Sequence, residues 1–324
     1  PGDHPRRMRR LLRQQLQEGI QRGYIPGSRL LVSGRPITCT GGHFHMCNEV
    51  ADGEEEIRRS VRRLVHEGAD YIKIMASGGG TAGTIPGRAS YSTAELHAAV
   101  HEAHHFHRLT AAHCRAKESM VRAVEAGIDL IEHAEFLDPD DQMRFDPKLA
   151  EMMAEAGVWI SPTLQAWTNY PRIVALTERQ WAGTITADEE KQLLALEQRA
   201  ETRLEIMRRM LEYNVRERIV PGTDSGVGSL AFGHLDYDLQ LLVRVGFTPA
   251  EALLSATRIS SRSSLLPARL RMHTTASRLE AQWPMLSLLL QGPQVWFPSP
   301  YPGPAAQYAA LTRQPVGPAE PKTQ

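Results

Sequence analysis

"GADYIKIMASGGG", residues 68–80, is the stretch on which the fold turns. Tyr71, Ile72, Ile74 and Met75 read as a buried strand, and the glycines that follow close it. Lys73 sits in the middle of that strand. A charged lysine is almost never fully buried unless something pairs with it, so the strand must deliver Lys73 to a partner. Among the carboxylates at neighbouring strand ends, Asp224 and Glu132 are both open as that partner.

Outward from this strand the chain repeats one grammar. "EEEIRRSVRRLVHEG" (54–68) places Ile57, Val61, Leu64 and Val65 on one helical face, and Gly68 suits the position just past the helix end. "KESMVRAVEAG" (117–127) leads into "IDLIEHAEF". "PKLAEMMAEAG" (147–157), with Asp146 as cap and Pro147 at the first helical position, leads into "VWISPTL". A long helix over about 187–213 stops at Asn214 and leads into "RIVPGTD". "STAE" (92–95) and "TPAE" (248–251) are capping boxes that start two more helices. Helix, stop, strand and loop in this order predict an α/β chain of parallel strands joined by crossover helices.

Parallel α/β folds build their sites at the carboxyl ends of the strands. Four such ends deliver Lys73, His113 ("RLTAAHC"), His133 ("LIEHAEF") and Asp224 ("RIVPGTDSG"). Imidazole nitrogen and carboxylate oxygen are the donors that zinc and similar divalent ions prefer. Each residue alone reads as an ordinary hydrogen-bonded side chain, and the joint pattern carries the inference.

The segment from about 24 to 258 resembles the metal-dependent amidohydrolase superfamily, in its imidazolonepropionase-related and Xaa-Pro-dipeptidase-like branch. The motifs are "ITCTGGHFH" (37–45), "GADYIKIMASGG" (68–79), "AAHC" (111–114), "AGIDLIEHAEF" (126–136), "PGTDSG" (221–226) and "GFTPAEALLSAT" (246–257). The resemblance implies a (β/α)₈ barrel of the TIM type and hydrolysis of amide bonds in small molecules or dipeptides by a metal-activated hydroxide. It implies that Lys73 is carboxylated to a carbamate bridging two ions, most readily zinc. His113 and His133 would be metal ligands, Asp224 a ligand and the general acid/base, and His43 and His45 substrate-facing.

Two departures qualify that expectation. The HxH pair of the family's first strand is absent, and the first two strands are expected upstream of Pro1. With Lys73, His113 and His133 at one metal position and only Lys73 and Asp224 at the other, at most one tight ion is expected. At the other end, residues 263–324 carry no family motif. They read as a Pro-rich tail in place of most of the family's small β-sandwich, poorly ordered from about 297, after a truncated barrel over 1–262. The alternative to an amidohydrolase is an inactive barrel fragment holding one metal or none. A remote alternative rests on "HEAHH" (101–105), which satisfies the H-E-x-x-H pattern of zinc proteases. Its helix is expected on the outside of the barrel.

Composition narrows the rest. Lys+Arg and Asp+Glu are both 37, so no overall field favours nucleic acid or an acidic membrane. The Gly-rich "SGGGTAGTIPG" (77–87) lacks the G-K-[ST] of a phosphate cradle and reads as a loop over the site. Three cysteines without paired spacing suit a reducing, cytoplasmic setting. Unpaired sheet edges make a homo-oligomer possible.

Overall fold

The computed structural model describes residues 15–27, 30–226 and 230–260; the Pro-rich tail lies outside the described residues. Strands β1 (Ile37–Thr38), β2 (Glu49–Val50), β3 (Ile72–Met75), β4 (Thr110–Ala116), β5 (Leu130–Leu137) and β6 (Trp159–Ser161) form one sheet in the order β2–β1–β3–β4–β5–β6. Every pairing is parallel. Helices α1 (Gly53–His66), α2 (Thr93–His105), α3 (Lys117–Glu125) and α4 (Pro147–Ala156) make the crossovers. Beyond β6 follow α5 (Leu164–Trp167), α6 (Tyr170–Trp181), α7 (Ala187–Leu211), α8 (Leu235–Arg244) and α9 (Pro249–Leu254).

The punctuation read from the sequence does its physical work. Ser92 and Thr248 form reciprocal capping boxes with Glu95 and Glu251. Asp146 accepts from the backbone N–H groups of Lys148 and Leu149, and Gly157 ends α4 in the left-handed conformation that an L side chain resists. The expected strand through "RIVPGTD" is the exception. It is reduced to one parallel bridge from Ile160 to Ile219, with Val220 N donating to Ile160 O at 2.9 Å. Pro221 has no N–H to continue the ladder. Among the described residues no strand pairing joins this edge to the outer edge of β2.

Alternation along the strands sorts the core into two faces. Ile72 and Ile74 of β3, Cys114 of β4 and Ile131 of β5 pack outward among Ile57, Val61 and Leu64 of α1, Met120 of α3 and Met153 of α4. Fully burying each such side chain contributes about 1.5–3 kcal/mol. The inner face carries a much smaller cluster, Ala111, Leu130 and Val220, flanked by Tyr71, Trp159 and Ile259. Lys73 is in register with Ala111, and Ala111 with Leu130, which puts the lysine on the inner face, away from the helices.

Candidate functional site at the strand ends

Register and alternation bring Lys73, His113 and Glu132 to one face: His113 lies opposite Met75 on one side and Glu132 on the other. The same rule would send His133, opposite Cys114, to the helix side. Its ring instead packs edge-on against His113 with centroids 4.5 Å apart. The backbone explains this. His133 and Ala134 have φ of 72° and 47°, and the β4–β5 register shifts between Cys114 and Ala116. Such an irregularity re-aims a side chain. Each left-handed non-glycine residue costs about 1–2 kcal/mol, and Asp224 adopts the same conformation with φ 51°.

Arg203 of α7 holds the distorted turn. It is fully buried and donates through Nη2 to the carbonyls of His133 and Pro162, the latter at 3.3 Å. Burial pushes its guanidinium down to about 10. Arg115 lies two residues beyond His113 on the same face, bonded to the fully buried Glu135 at 2.5 Å and stacked 4.0 Å over the Trp167 ring.

Lys73 contacts Glu132, which answers which carboxylate meets it directly, while Asp224 acts on it electrostatically. Burial pushes the Lys73 amine down to about 7, so a substantial fraction is neutral near neutral pH. Burial also holds His113 and His133 well below the ordinary imidazole range, with neighbouring cationic groups adding to the effect. Both rings are therefore neutral, the form that ligates metals. Desolvation raises Asp224 against the opposing pull of Lys73.

The loop over 77–87 packs onto this face. His113 Nε2 lies 3.1 Å from Gly78 O, and His43 lies 4.7 Å from His113 ring to ring, with its Nδ1 2.9 Å from Thr81 Oγ1. Gly79 is a close-approach glycine: a Cβ there would sit 2.4 Å from the His43 ring. Burial, with Arg115 and Lys73 nearby, pushes His43 down to about 4. His45 is tied into its own turn, Nδ1 3.0 Å from Gly42 O. Thus Lys73, His113, His133, Asp224 and His43 are brought to one region, and His45 has no recorded contact with them.

The H-E-x-x-H helix has a different job. His101 and His105 of α2 are exposed, whereas Glu102 is buried and paired with Arg62 at 2.6 Å and Arg58 at 3.7 Å, both on α1. Glu102 ties two outer helices together.

Sequence reading missed Thr163 and Trp167, which reach His133 Nδ1, each at 2.7 Å, and Arg115 and Arg203. None belongs to a motif. The one available signal for Arg115 was its position two residues after His113 on a strand.

Among the described residues no three His, Cys, Asp or Glu side chains are grouped to hold a metal ion. The donor chemistry nevertheless fits a divalent ion: two neutral imidazoles in contact, with an amine and a carboxylate beside them.

The parallel strands, crossover helices and polar groups gathered at the strand ends define an α/β protein of the TIM-barrel type with a buried imidazole–carboxylate–amine site. A model of the amidohydrolase family matches residues 3–264, and the chain belongs to that family. Ochratoxinase from Aspergillus niger is 31% identical over 239 residues, covering 72% of this chain and 44% of the relative. The chain thus spans less than half the length of that curated relative. Among solved structures, a Xaa-Pro dipeptidase with bound methionine in its active site superposes with a TM-score of 0.62 at 25% identity, covering 81% of this chain and 62% of that one. The Aspergillus niger ochratoxinase structure gives 0.60 at 27% identity, covering 77% and 57%.

Proposed function

We propose that this chain belongs to a metal-dependent hydrolase that cleaves C–N amide bonds of small molecules or dipeptides in the cytoplasm. The observation that carries the reading is the burial of Lys73, His113 and His133 beside Asp224 at the ends of parallel strands, in a family whose similar members include an ochratoxinase and a Xaa-Pro dipeptidase. In this reading His113, His133 and a carboxylated Lys73 would hold one divalent ion, zinc by donor type. When bound, such an ion polarises a carbonyl and lowers the pKa of water.

The chain's own residues supply the rest. The neutral Lys73 amine would form an N–C bond to carbon dioxide and release one proton to solvent, which leaves an anionic carbamate where a neutral amine stood. Asp224 takes a proton from the attacking water as its oxygen bonds to the carbonyl carbon. Asp224 returns that proton to the departing nitrogen as the C–N bond breaks. In this reading His43, neutral and packed on His113, would face the substrate. A second reading, a barrel without turnover, is favoured by the direct contact of Lys73 with Glu132, which in that reading would pair the carboxylate with a lysine kept as an ammonium.

Metal content and hydrolysis of Xaa-Pro dipeptides and N-acyl amino acids by Lys73 variants separate the two. In the first reading Lys73→Ala loses ion and rate, acetate restores part of both, Lys73→Glu keeps some ion, and Lys73→Arg keeps neither because its fixed cation stays in the site. In the second, arginine is the best-tolerated substitute, and full ion content with Lys73→Arg would overturn the carbamate assignment.

A further inference from the structure

Two donors converge on one nitrogen. The Thr163 hydroxyl and the Trp167 indole N–H each lie 2.7 Å from His133 Nδ1. An indole N–H only donates, whereas a hydroxyl donates or accepts. When Trp167 donates, Nδ1 is an acceptor, and the neutral ring carries its proton on Nε2. Both ring nitrogens are then engaged, and neither offers a lone pair to a cation. When Nδ1 instead carries the proton and donates to Thr163 Oγ1, the Nε2 lone pair is free. The two bonds are mutually exclusive, because Nδ1 has either a lone pair or a hydrogen in the ring plane.

The indole is held in its place. The Arg115 guanidinium lies 4.0 Å over its ring and is itself fixed to buried Glu135, and the indole meets the His133 ring edge-on with centroids 5.1 Å apart. An indole N–H 2.7 Å from Nδ1 requires an unprotonated Nδ1, which an imidazolium does not offer, so the choice is between tautomers of the neutral ring. The left-handed backbone at His133, clamped by Arg203, keeps the ring between the two partners.

We propose that Trp167 is a positioning residue that withholds His133 from a cation by claiming Nδ1, and that Thr163 releases it by accepting the Nδ1 proton. The proposal rests on the hydrolase reading for the identity of the cation, but the tautomer claim stands without it. The indole must leave Nδ1 before His133 can ligate through Nε2, so ion uptake is linked to movement of Trp167.

The experiment uses the full chain stripped with a chelator, labelled with ¹⁵N-histidine, and then titrated with zinc alone. Long-range ¹H–¹⁵N spectra of the stripped wild type should show His133 as the Nε2–H tautomer, and Trp167→Phe should convert it to Nδ1–H. With that bond removed, zinc should bind Trp167→Phe about five- to tenfold more tightly than wild type. Thr163→Val, which deletes the acceptor for the Nδ1 proton, should weaken zinc by about tenfold or more. An Nδ1–H signal for His133 in the stripped wild type overturns the proposal, and that measurement needs no variant to fold. Unchanged or weaker zinc binding by folded Trp167→Phe also overturns it. If no chain binds zinc, the hydrolase reading fails, while the nitrogen spectra still decide what Trp167 does.

Discussion

Two histidine-bearing regions of this molecule have similar residue content and opposite character. On the facing parts of β4 and β5, His113 and His133 are buried, in ring contact and held neutral. On α2, His97, His101, His104 and His105 are exposed on an outer helix whose one buried carboxylate, Glu102, is committed to arginines of α1. The sequence pattern is more orderly on α2, where H-E-x-x-H matches a known metal motif. Chemistry follows burial and direction rather than spacing: a helix on the outside of a parallel sheet presents its motif to solvent, and strand ends gather single residues from distant parts of the chain.

That contrast can be broken most sharply at Asp224. Asp224→Asn should lower kcat/KM by about 10²–10⁴-fold on an amide that the wild type cleaves, with little change in thermal midpoint. A rate within a factor of about two of wild type would remove Asp224 from the proton transfer. Carboxylates sharpen the comparison next. Asp238 of α8 is buried with Oδ2 unpartnered, and burial pushes it up to about 8. Its native proton is held where the unfolded chain has already lost it, so this group makes stability fall as pH rises from about 4 to about 8. Asp238→Asn should remove a decline on the order of 5 kcal/mol across that window, read from denaturant midpoints.

Two adjacent glycines give a finer cut. Gly79→Ala should cost about 1–3 kcal/mol, because its Cβ would meet the His43 ring, whereas Gly80→Ala meets nothing within 4 Å. Gly80→Ala should therefore stay within about 0.5 kcal/mol of wild type, and equal losses at both positions would mean that the loop does not press on His43. The outer region gives the last test. Glu102→Gln should cost about 1 kcal/mol, since Arg62 is largely in water, and should leave turnover unchanged.

Much of the fold was legible because it is written in local chemistry. Ser92–Glu95, Thr248–Glu251 and Asp146–Pro147 satisfy backbone donors within a few residues, so their signals are contiguous. Lys73 and His113 were legible as strand-end residues because alternation preserves their direction. The sequence does not choose between Glu132 and Asp224 as the partner of Lys73, because that choice depends on register across three strands. The inward turn of His133 was hidden because alternation predicts the opposite, and only a left-handed backbone and a register shift reverse it. Trp167, Thr163 and Arg203 were hidden for a related reason: they reach His133 from 30 to 70 positions away. The apolar run through Ile219 yields only one bridge because Pro221 has no N–H to continue the ladder.

The central claim is that the strand ends, and not the H-E-x-x-H helix, hold the functional ion. Elemental analysis of zinc retained after exhaustive dialysis tests it, with full-length wild type, the His113→Ala/His133→Ala pair and the His101→Ala/His105→Ala pair purified alike. Wild type and the α2 pair should each keep about one zinc per chain, and the strand-end pair should keep essentially none. Zinc kept by the strand-end pair and lost from the α2 pair would contradict the account.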